Sequence, residues 1–159
     1  MWTVVGSPLG DLRVVERDGA ITAIEFTPFR SGTGRPLGER DDSAPVLVEA
    51  ARQLGAYFDR ELEVFDLPLA PAGSEFQLRV WRALVGVGFG HTATYGEIAH
   101  RLGMTAAASR AVGLANGRNP IPIVIPCHRI VGSSGSLTGY SGGLDRKQQL
   151  LALESNSLF

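Results

Sequence analysis

Near the start of the chain, apolar and polar residues follow a pattern that predicts an antiparallel hairpin. The segments Leu12–Glu16 and Ala20–Ile24 are rich in branched apolar residues and flank the dipeptide Asp18-Gly19. This dipeptide is a strong hairpin signal, because both residues of the tight turn need a positive φ. We therefore expect two paired strands here, and the apolar segment Phe65–Leu69 indicates a further strand.

From Val46 to Arg60, the apolar spacing becomes that of an amphipathic helix. The apolar residues that recur at helical spacing are Leu47, Ala50, Ala51, Leu54, Tyr57 and Phe58. Ser43 and Pro45 precede this segment and fit a helix start. The stretch from Thr27 to Asp42 is rich in Gly, Arg and Pro, so we expect a loop there.

After the prolines and glycine of residues 68–73, the pattern becomes mostly helical. Ser74 with Gln77, and Thr94 with Glu97, match the capping box that begins many helices. Further helices are predicted from Ala106 to Asn116, with Thr105 as cap and Gly117 as the end, and from Leu144 through Glu154.

The predicted fold class is α+β with two domains. Residues 1–73 would form an N-terminal domain with a small antiparallel sheet and a helix. Residues 74–159 would form a mostly helical domain that contains a winged helix-turn-helix.

Composition and charge narrow the function classes. The chain is 44% hydrophobic with a mean hydropathy of +0.07, and no apolar run reaches the length of a membrane span. Its net charge is −1, but residues 1–75 hold 7 basic and 13 acidic residues (−6), whereas residues 76–159 hold 8 and 3 (+5). The second half therefore suits a polyanion, unless the gradient arose by chance. The start of the chain lacks a signal-peptide pattern, and one cysteine fits a reducing compartment, so we expect a cytoplasmic protein.

The only cysteine of the chain, Cys127, is the strongest candidate for chemistry. It has no second cysteine for an intrachain disulfide or a thiolate zinc site, which leaves a buried inert thiol or a reactive nucleophile. His128 follows it directly, and the apolar run Ile121–Ile125 would hold it at the end of a strand. The Gly/Ser-rich run Gly132–Ser136 suits a ligand pocket better than a core.

A thiol needs a base to become a nucleophile at neutral pH, and His128 could serve. Neighbouring side chains on an extended segment point to opposite sides, so a relay through water or a turn is favoured over direct contact with Cys127. Glu154 could orient the imidazole, although a carboxylate on a helix is more often solvated. Asn119 could brace the loop that carries the thiol.

Tyr95 to Gly117 has the proportions of a helix-turn-helix, with a turn at residues 103–105. The second helix presents small residues, and Arg110 alone projects far. Such a surface permits close approach to DNA, where Arg110 could enter a groove; the alternative is a packed helix with a solvated arginine. The loop Thr138–Gly143 offers backbone N–H donors and an aromatic plane for a flat heterocycle.

Together these features resemble the O6-alkylguanine-DNA alkyltransferases. The matching strings, in family order and spacing, are Phe76–Trp81, Thr94–Ala99, Ser109–Gly113, Asn119-Pro120, Ile125–Gly132 and Gly139–Gly143. The resemblance covers residues 74–155 strongly and the N-terminal region loosely. It implies direct-reversal DNA repair, in which an alkyl group moves irreversibly from O6 of guanine, or O4 of thymine, to the protein without a cofactor.

The resemblance also implies catalytic roles. Cys127 would accept the alkyl group, and His128 would act as its base through a water. Glu154 would polarise His128, and Asn119 would stabilise the turn of the active site. Tyr95 would donate a hydrogen bond to a ring nitrogen of the departing guanine.

Substrate and DNA contacts follow from the same resemblance. The backbone N–H of Ser141 would meet the guanine O6, backbone carbonyls of Cys127 and Ile130 would read the exocyclic amine, and Tyr140 would line the pocket. The implied DNA-binding residues, on a helix that enters the minor groove of double-stranded DNA, are Thr94, Arg110, Ala111 and Gly113. Arg110 would fill the gap left by the flipped nucleotide.

Some relatives carry a zinc site in the N-terminal region, but the thiolates for such a site are missing here, so we expect no metal. We also expect a monomer. Two other functions compete: a lesion-binding or regulatory module without chemistry, and a cytosolic thiol hydrolase. Alkyltransferase-like proteins replace the nucleophile, and Cys127 argues against that class.

Overall fold

The computed structural model describes residues 1–29, 38–136, 140 and 142–155. The chain divides into two compact units, the first ending at Pro71 and the second beginning at Ala72. Within the described ranges, no helix is long and apolar enough to cross a membrane.

The first unit is built on a three-stranded antiparallel sheet in the order β1-β2-β3. Its strands are β1 (Trp2–Val5), β2 (Leu12–Arg17) and β3 (Ala20–Phe26). The predicted hairpin is confirmed: Asp18 and Gly19 join β2 to β3 with φ values of +53° and +82°. The sequence pattern did not indicate β1, which pairs with β2 along its whole length.

Helix α1 (Pro45–Phe58) packs against this sheet, as the apolar spacing predicts. It buries Leu47, Ala50, Leu54 and Tyr57, and it begins with a proline at a position where the missing N–H costs nothing.

The predicted strand Phe65–Leu69 is wrong, because only Leu69 forms a single bridge, to Ile21. The side chain of Gln53 instead makes two hydrogen bonds to the backbone of Asp66: it accepts from the N–H and donates to the carbonyl, both at 2.9 Å.

The second unit is mostly helical. Its helices and strands are α2 (Glu75–Val85), β4 (Ala93–Thr94), α3 (Tyr95–Arg101), α4 (Ser109–Gly117), β5 (Ile130–Val131) and α5 (Leu144–Ser155). Short 3₁₀ turns at Ala106–Ala108 and Cys127–Arg129 precede α4 and β5. Strands β4 and β5 form a small parallel ladder that the sequence did not reveal.

Both predicted capping boxes are present. The hydroxyl of Ser74 accepts from the N–H of Gln77 at 3.1 Å, while the Gln77 side chain accepts from the N–H of Ser74 at 2.9 Å. Thr94 and Glu97 make the equivalent pair at 3.1 and 3.0 Å. Two of the four orphan N–H donors at each helix start are thereby satisfied.

Helices α3 and α4 pack together around the predicted turn, where Gly103 has a φ of +75°. The expected start of the second helix under a Thr105 cap needs correction, because that side chain makes no capping hydrogen bond. A tighter i→i+3 turn, closed by the Ala108 N–H and the Thr105 carbonyl at 2.9 Å, comes first, and α4 begins at Ser109.

Candidate active site

The segment before the thiol is a buried turn, so the prediction of a strand at Ile121–Ile125 is wrong. Asn119 closes the turn: its Nδ2 donates to the Ile125 carbonyl at 2.8 Å, and its Oδ1 accepts from the Ile121 N–H at 3.0 Å. Ile123 adopts a φ of +75°, which strand geometry does not allow. Interspersed prolines also remove the N–H donors that a sheet would use.

Cys127 opens the 3₁₀ turn that follows, and it is 1% exposed. Burial raises the pKa of its thiol from 9.0 to about 11. Hydrogen bonds to Asn119 and Tyr140 and the positive charge of Lys147 act in the opposite direction on this pKa, because they favour the thiolate. The resting thiol is therefore protonated, and three neighbouring groups support its ionised form.

His128 is buried beside it and pairs with Glu154, with 2.7 Å between Nε2 and Oε2. Burial lowers the pKa of His128, and the Glu154 carboxylate opposes that shift. A neutral imidazole that donates through Nε2 leaves a lone pair on Nδ1. Among the described residues Nδ1 has no hydrogen-bond partner, Cys127 included. The two residues share a 3₁₀ turn rather than the extended segment assumed from sequence.

Arg129 binds the same carboxylate, and the sequence analysis missed it. Its Nε lies 2.9 Å from Oε1 of Glu154 and its Nη2 lies 3.0 Å from Oε2. Its Nη1 donates to the Val87 carbonyl at 2.6 Å, which fixes the guanidinium at a third point. A charged residue immediately before the buried pair Ile130-Val131 is the signal that could have identified it.

Lys147 is a second residue that the sequence analysis missed. It is fully buried, and its Nζ donates to the Ile130 carbonyl at 2.5 Å. Burial lowers the pKa of its ammonium group, and the interaction with Cys127 opposes that shift. Lys147, Leu150 and Glu154 are spaced by three and four residues and form the buried side of α5, so helical spacing from Glu154 could have identified it.

Asn116, in the last turn of α4, is the third missed residue. It is 1% exposed, and its Nδ2 donates to the Cys127 carbonyl at 3.3 Å. The Nε1 of Trp81 donates to the neighbouring Ala115 carbonyl at 2.8 Å and fixes this end of the helix. The carbonyls of Cys127 and Ile130, expected to read a base amine, thus each already accept one side-chain hydrogen bond, and the Cys127 carbonyl also accepts from the backbone N–H of Ile130.

The remaining predicted site residues lie in three settings. Tyr95 begins α3, and a Cβ at Gly113 would lie 3.6 Å from its ring, so α3 and α4 meet closely at these residues. Tyr140 is buried, whereas Ser141 lies outside the described residues. The side chains of Arg110 and Ala111 are exposed on α4, and Thr94 is half-buried at the start of α3.

The structure thus brings Cys127, Asn119 and Tyr140 into one cluster. The hydrogen-bonded pair His128–Glu154 begins at the residue next to the thiol. Arg110 lies apart from it on the exposed side of α4. Within residues 1–29, 38–136, 140 and 142–155, no group of three His, Cys, Asp or Glu side chains could hold a metal ion.

Two family models and several curated relatives match nearly the whole chain. Residues 1–71 match the family model of the ribonuclease-like domain of 6-O-methylguanine DNA methyltransferase, and residues 75–156 match its DNA binding domain. A methylated-DNA–protein-cysteine methyltransferase of Methanosarcina acetivorans is 59% identical over 155 residues, covering 98% of both chains. One of Mycolicibacterium paratuberculosis is 51% identical over 158 residues, covering 96% of this chain and 91% of the relative.

Solved structures give the same result. The crystal structure of the Mycobacterium tuberculosis O6-methylguanine methyltransferase is 44% identical with a TM-score of 0.88, covering 97% of this chain and 92% of that one. A structure of the Mycobacterium tuberculosis protein in complex with DNA is 43% identical with a TM-score of 0.84 and the same coverage. From its fold, its sequence and both matching domains, the chain belongs to the 6-O-methylguanine DNA methyltransferase family.

Proposed function

We propose that this protein repairs DNA by transferring an alkyl group from O6 of guanine to Sγ of Cys127. The observation that carries the proposal is the buried cluster in which one thiol follows the Asn119 turn and precedes the paired His128. The relatives named methylated-DNA–protein-cysteine methyltransferase support the same reaction. The protein would act in the cytoplasm, whose reducing conditions suit a free thiol.

The reaction conserves atoms and charge without a cofactor. The Cys127 thiol gives up its proton, and the thiolate attacks the alkyl carbon. A carbon–sulfur bond forms as the carbon–O6 bond breaks, and O6 keeps the electron pair. The guanine then takes up a proton on its ring, and ordinary guanine remains in the DNA. Because the thioether product is stable and nothing removes the alkyl group, each molecule would react once.

His128 is the base that the geometry supports. Its Nδ1 lone pair is free of protein partners among the described residues, so a water between Nδ1 and the thiol could relay the proton. The imidazolium that forms would be stabilised by Glu154 at 2.7 Å. Arg129 holds both oxygens of that carboxylate, so the carboxylate cannot turn away from the ring.

Stabilisation of the departing guanine would come from donors around the base. Tyr95 would donate to a ring nitrogen, and the backbone N–H of Ser141 would meet O6, so that charge is neutralised as it develops. Tyr140 would line the pocket. An alkyl group on O6 is shielded inside the duplex, and the nucleotide must therefore flip out.

DNA binding would use the exposed side of α4. Arg110 is exposed there and would fill the gap left by the flipped nucleotide, while Ala111 and Gly113 allow close approach to the minor groove. Thr94 would contact the backbone from the start of α3. The +5 charge of residues 76–159 suits a phosphate backbone. The protein would bind as a monomer and also accept O4-alkylthymine.

Mass spectrometry of the intact protein tests the proposal. After incubation with duplex DNA that contains O6-methylguanine, one methyl mass should appear on a peptide that contains Cys127. No gain, or a gain elsewhere, would disprove alkyl transfer to this thiol. Cys127→Ala should bind the duplex but gain no mass, and a variant that keeps both its binding and its biological output would favour a lesion-binding or regulatory module without chemistry. Continued turnover of a small ester would instead indicate a thiol hydrolase.

A further inference from the structure

Leu114 is an apolar side chain that helix α4 leaves in solvent. It is 63% exposed, more than any other large apolar residue that the structure describes in the second unit. A single exposed leucine is common on protein surfaces, so its neighbours decide whether it has a function. Helical spacing places Leu114 on the same face as Arg110, which lies one turn earlier and is also exposed.

Two arginines flank Leu114 along this face. Arg110 precedes it by four residues, and Arg118, the residue that ends α4, follows it by four. Both are exposed, and within the described ranges neither is paired with a carboxylate. The helix itself contains no acidic residue. The exposed face of α4 therefore has an apolar centre, formed by Ala111 and Leu114, between two cationic ends.

The minor groove of a DNA duplex has the complementary arrangement. Phosphates line its two edges, and the C–H groups of the deoxyriboses form its walls. Arginines bind such phosphates, and proteins that use this groove often place leucine or similar residues in it. An apolar protein surface fits less well, because it would desolvate two arginines without pairing them. A second copy of the same face would bring arginine against arginine.

We propose that Leu114 packs on the deoxyriboses of the minor groove, while Arg118 binds a phosphate at the end of the helix. The inference rests on the proposed repair of DNA, in which α4 enters this groove, and it adds two residues to the interface. Leu114 gives that interface a part whose strength does not depend on salt. Apolar burial displaces no counterions from the DNA, whereas each contact between an arginine and a phosphate does.

The experiment measures the dissociation constant of the full chain for an unmodified DNA duplex at several salt concentrations. We expect Leu114→Ala to weaken binding about tenfold at every concentration, because apolar carbons are lost from the contact and no charge is lost. Its plot of log Kd against log salt should therefore run parallel to that of the wild type. Arg118→Ala should instead lower the slope of this plot by about one phosphate contact.

Val85→Ala is the matched control for Leu114→Ala. Val85 is also a large apolar residue on a helix and is 55% exposed, but it lies at the end of α2. Its truncation should change neither the dissociation constant nor the slope. All three variants should react with free O6-benzylguanine as the wild type does, because none of them alters the thiol cluster. This reaction and thermal melting verify that each variant is folded.

Three results would overturn the role of Leu114: wild-type binding by Leu114→Ala, an equal loss in Val85→Ala, or a loss that disappears at high salt. Leu114→Gln, which is polar and of similar length, provides the measurement if the alanine variant does not fold. An unchanged slope in Arg118→Ala would remove that arginine from the interface.

Sedimentation of the protein without DNA tests the other occupant of this face. A wild-type dimer that Leu114→Ala dissociates would show that a second copy covers Leu114, and it would overturn the inference. A wild-type protein that binds the duplex as expected but transfers no methyl group from O6-methylguanine would instead disprove the proposed function. The two failures are therefore distinguishable.

Discussion

His128 and Arg129 are neighbours in sequence, and both bind the carboxylate of Glu154. Both carboxylate oxygens of Glu154, Oε1 and Oε2, accept from Arg129, and Oε2 also contacts the imidazole of His128. The carboxylate therefore serves two functions: it neutralises a buried guanidinium, and it fixes the tautomer of the imidazole.

Glu154→Gln removes the negative charge on which both functions depend, so it should affect both stability and catalysis. The change leaves Arg129 charged in a buried setting, which we expect to lower the free energy of unfolding by about 3 to 5 kcal/mol. Methyl transfer to Cys127 should slow about 100-fold or more, because the base loses its orienting anion. Chemical denaturation and single-turnover kinetics measure the two effects.

Glu49→Gln is the matched control for that change. Glu49 also binds an arginine, Arg52, through both carboxylate oxygens at 2.8 and 2.7 Å, but this pair is exposed. Its loss should change the free energy of unfolding far less than Glu154→Gln does, because solvent screens an exposed pair. Equal destabilisation by the two substitutions would contradict the buried-pair argument.

Stability should fall at alkaline pH because of Cys127. The thiol has a pKa of 9.0 in the unfolded chain and about 11 in the fold, so between these values the folded protein keeps a proton that the unfolded chain has released. The stabilisation is complete below pH 9 and is lost as the pH rises through about 11, a change of about 2 to 3 kcal/mol.

Urea denaturation across that pH range, compared between wild type and Cys127→Ala, isolates this contribution from other titrating groups. The alanine variant should lack the extra alkaline decline. Protein methylated on Cys127 should also lack it, because a thioether cannot ionise. A decline of the same size in all three proteins would exclude the thiol as its source.

Lys147→Met should affect chemistry at Cys127 through charge. The ammonium favours the thiolate, so its removal should raise the pKa of the thiol further and slow transfer at neutral pH about tenfold. The rate should recover partly as the pH rises, because hydroxide then supplies the ionisation. A pH profile with free O6-benzylguanine measures this without DNA, and an unchanged profile would assign Lys147 to packing alone.

Arg110→Ala should reduce repair of duplex DNA far more than reaction with free O6-benzylguanine. The side chain is exposed on α4 and lies outside the thiol cluster, so neither the fold nor the nucleophile depends on it. Arg17→Ala removes one exposed charge from the first unit and serves as the control, with little effect on either substrate. Equal losses on both substrates in Arg110→Ala would remove this residue from nucleotide flipping.

Local features of the fold were predictable because neighbouring residues determine them. The Asp18-Gly19 turn and both capping boxes depend on side chains within three residues of each other. The supposed strand at Ile121–Ile125 failed because an apolar run has no periodicity to distinguish a strand from a buried turn. The side-chain amide of Asn119 hydrogen-bonds the Ile121 N–H and the Ile125 carbonyl, which would otherwise be available for pairing in a sheet.

The sequence analysis missed Asn116, Arg129 and Lys147 as site residues, because local patterns indicate such residues only weakly. Each is a polar or charged residue whose burial depends on elements distant in sequence, and its partner is a backbone carbonyl or a carboxylate. In contrast, Glu154 was a candidate because it is the only acidic residue of α5 beyond its first turn. Burial of charge is a tertiary property, and sequence reveals it only through helical spacing.

The capping box at Thr94 has a consequence for the electrostatic field around the second half of the chain. Residues 76–159 contain only three acidic residues: Glu97, Asp145 and Glu154. Glu97 neutralises the start of α3, Asp145 lies in the first turn of α5, and Glu154 is buried against Arg129. Two of these carboxylates offset helix dipoles and the third is hidden, so the surface potential of this half is set by its arginines. A nucleic acid would therefore be drawn towards it from a distance, more strongly at low ionic strength than at high.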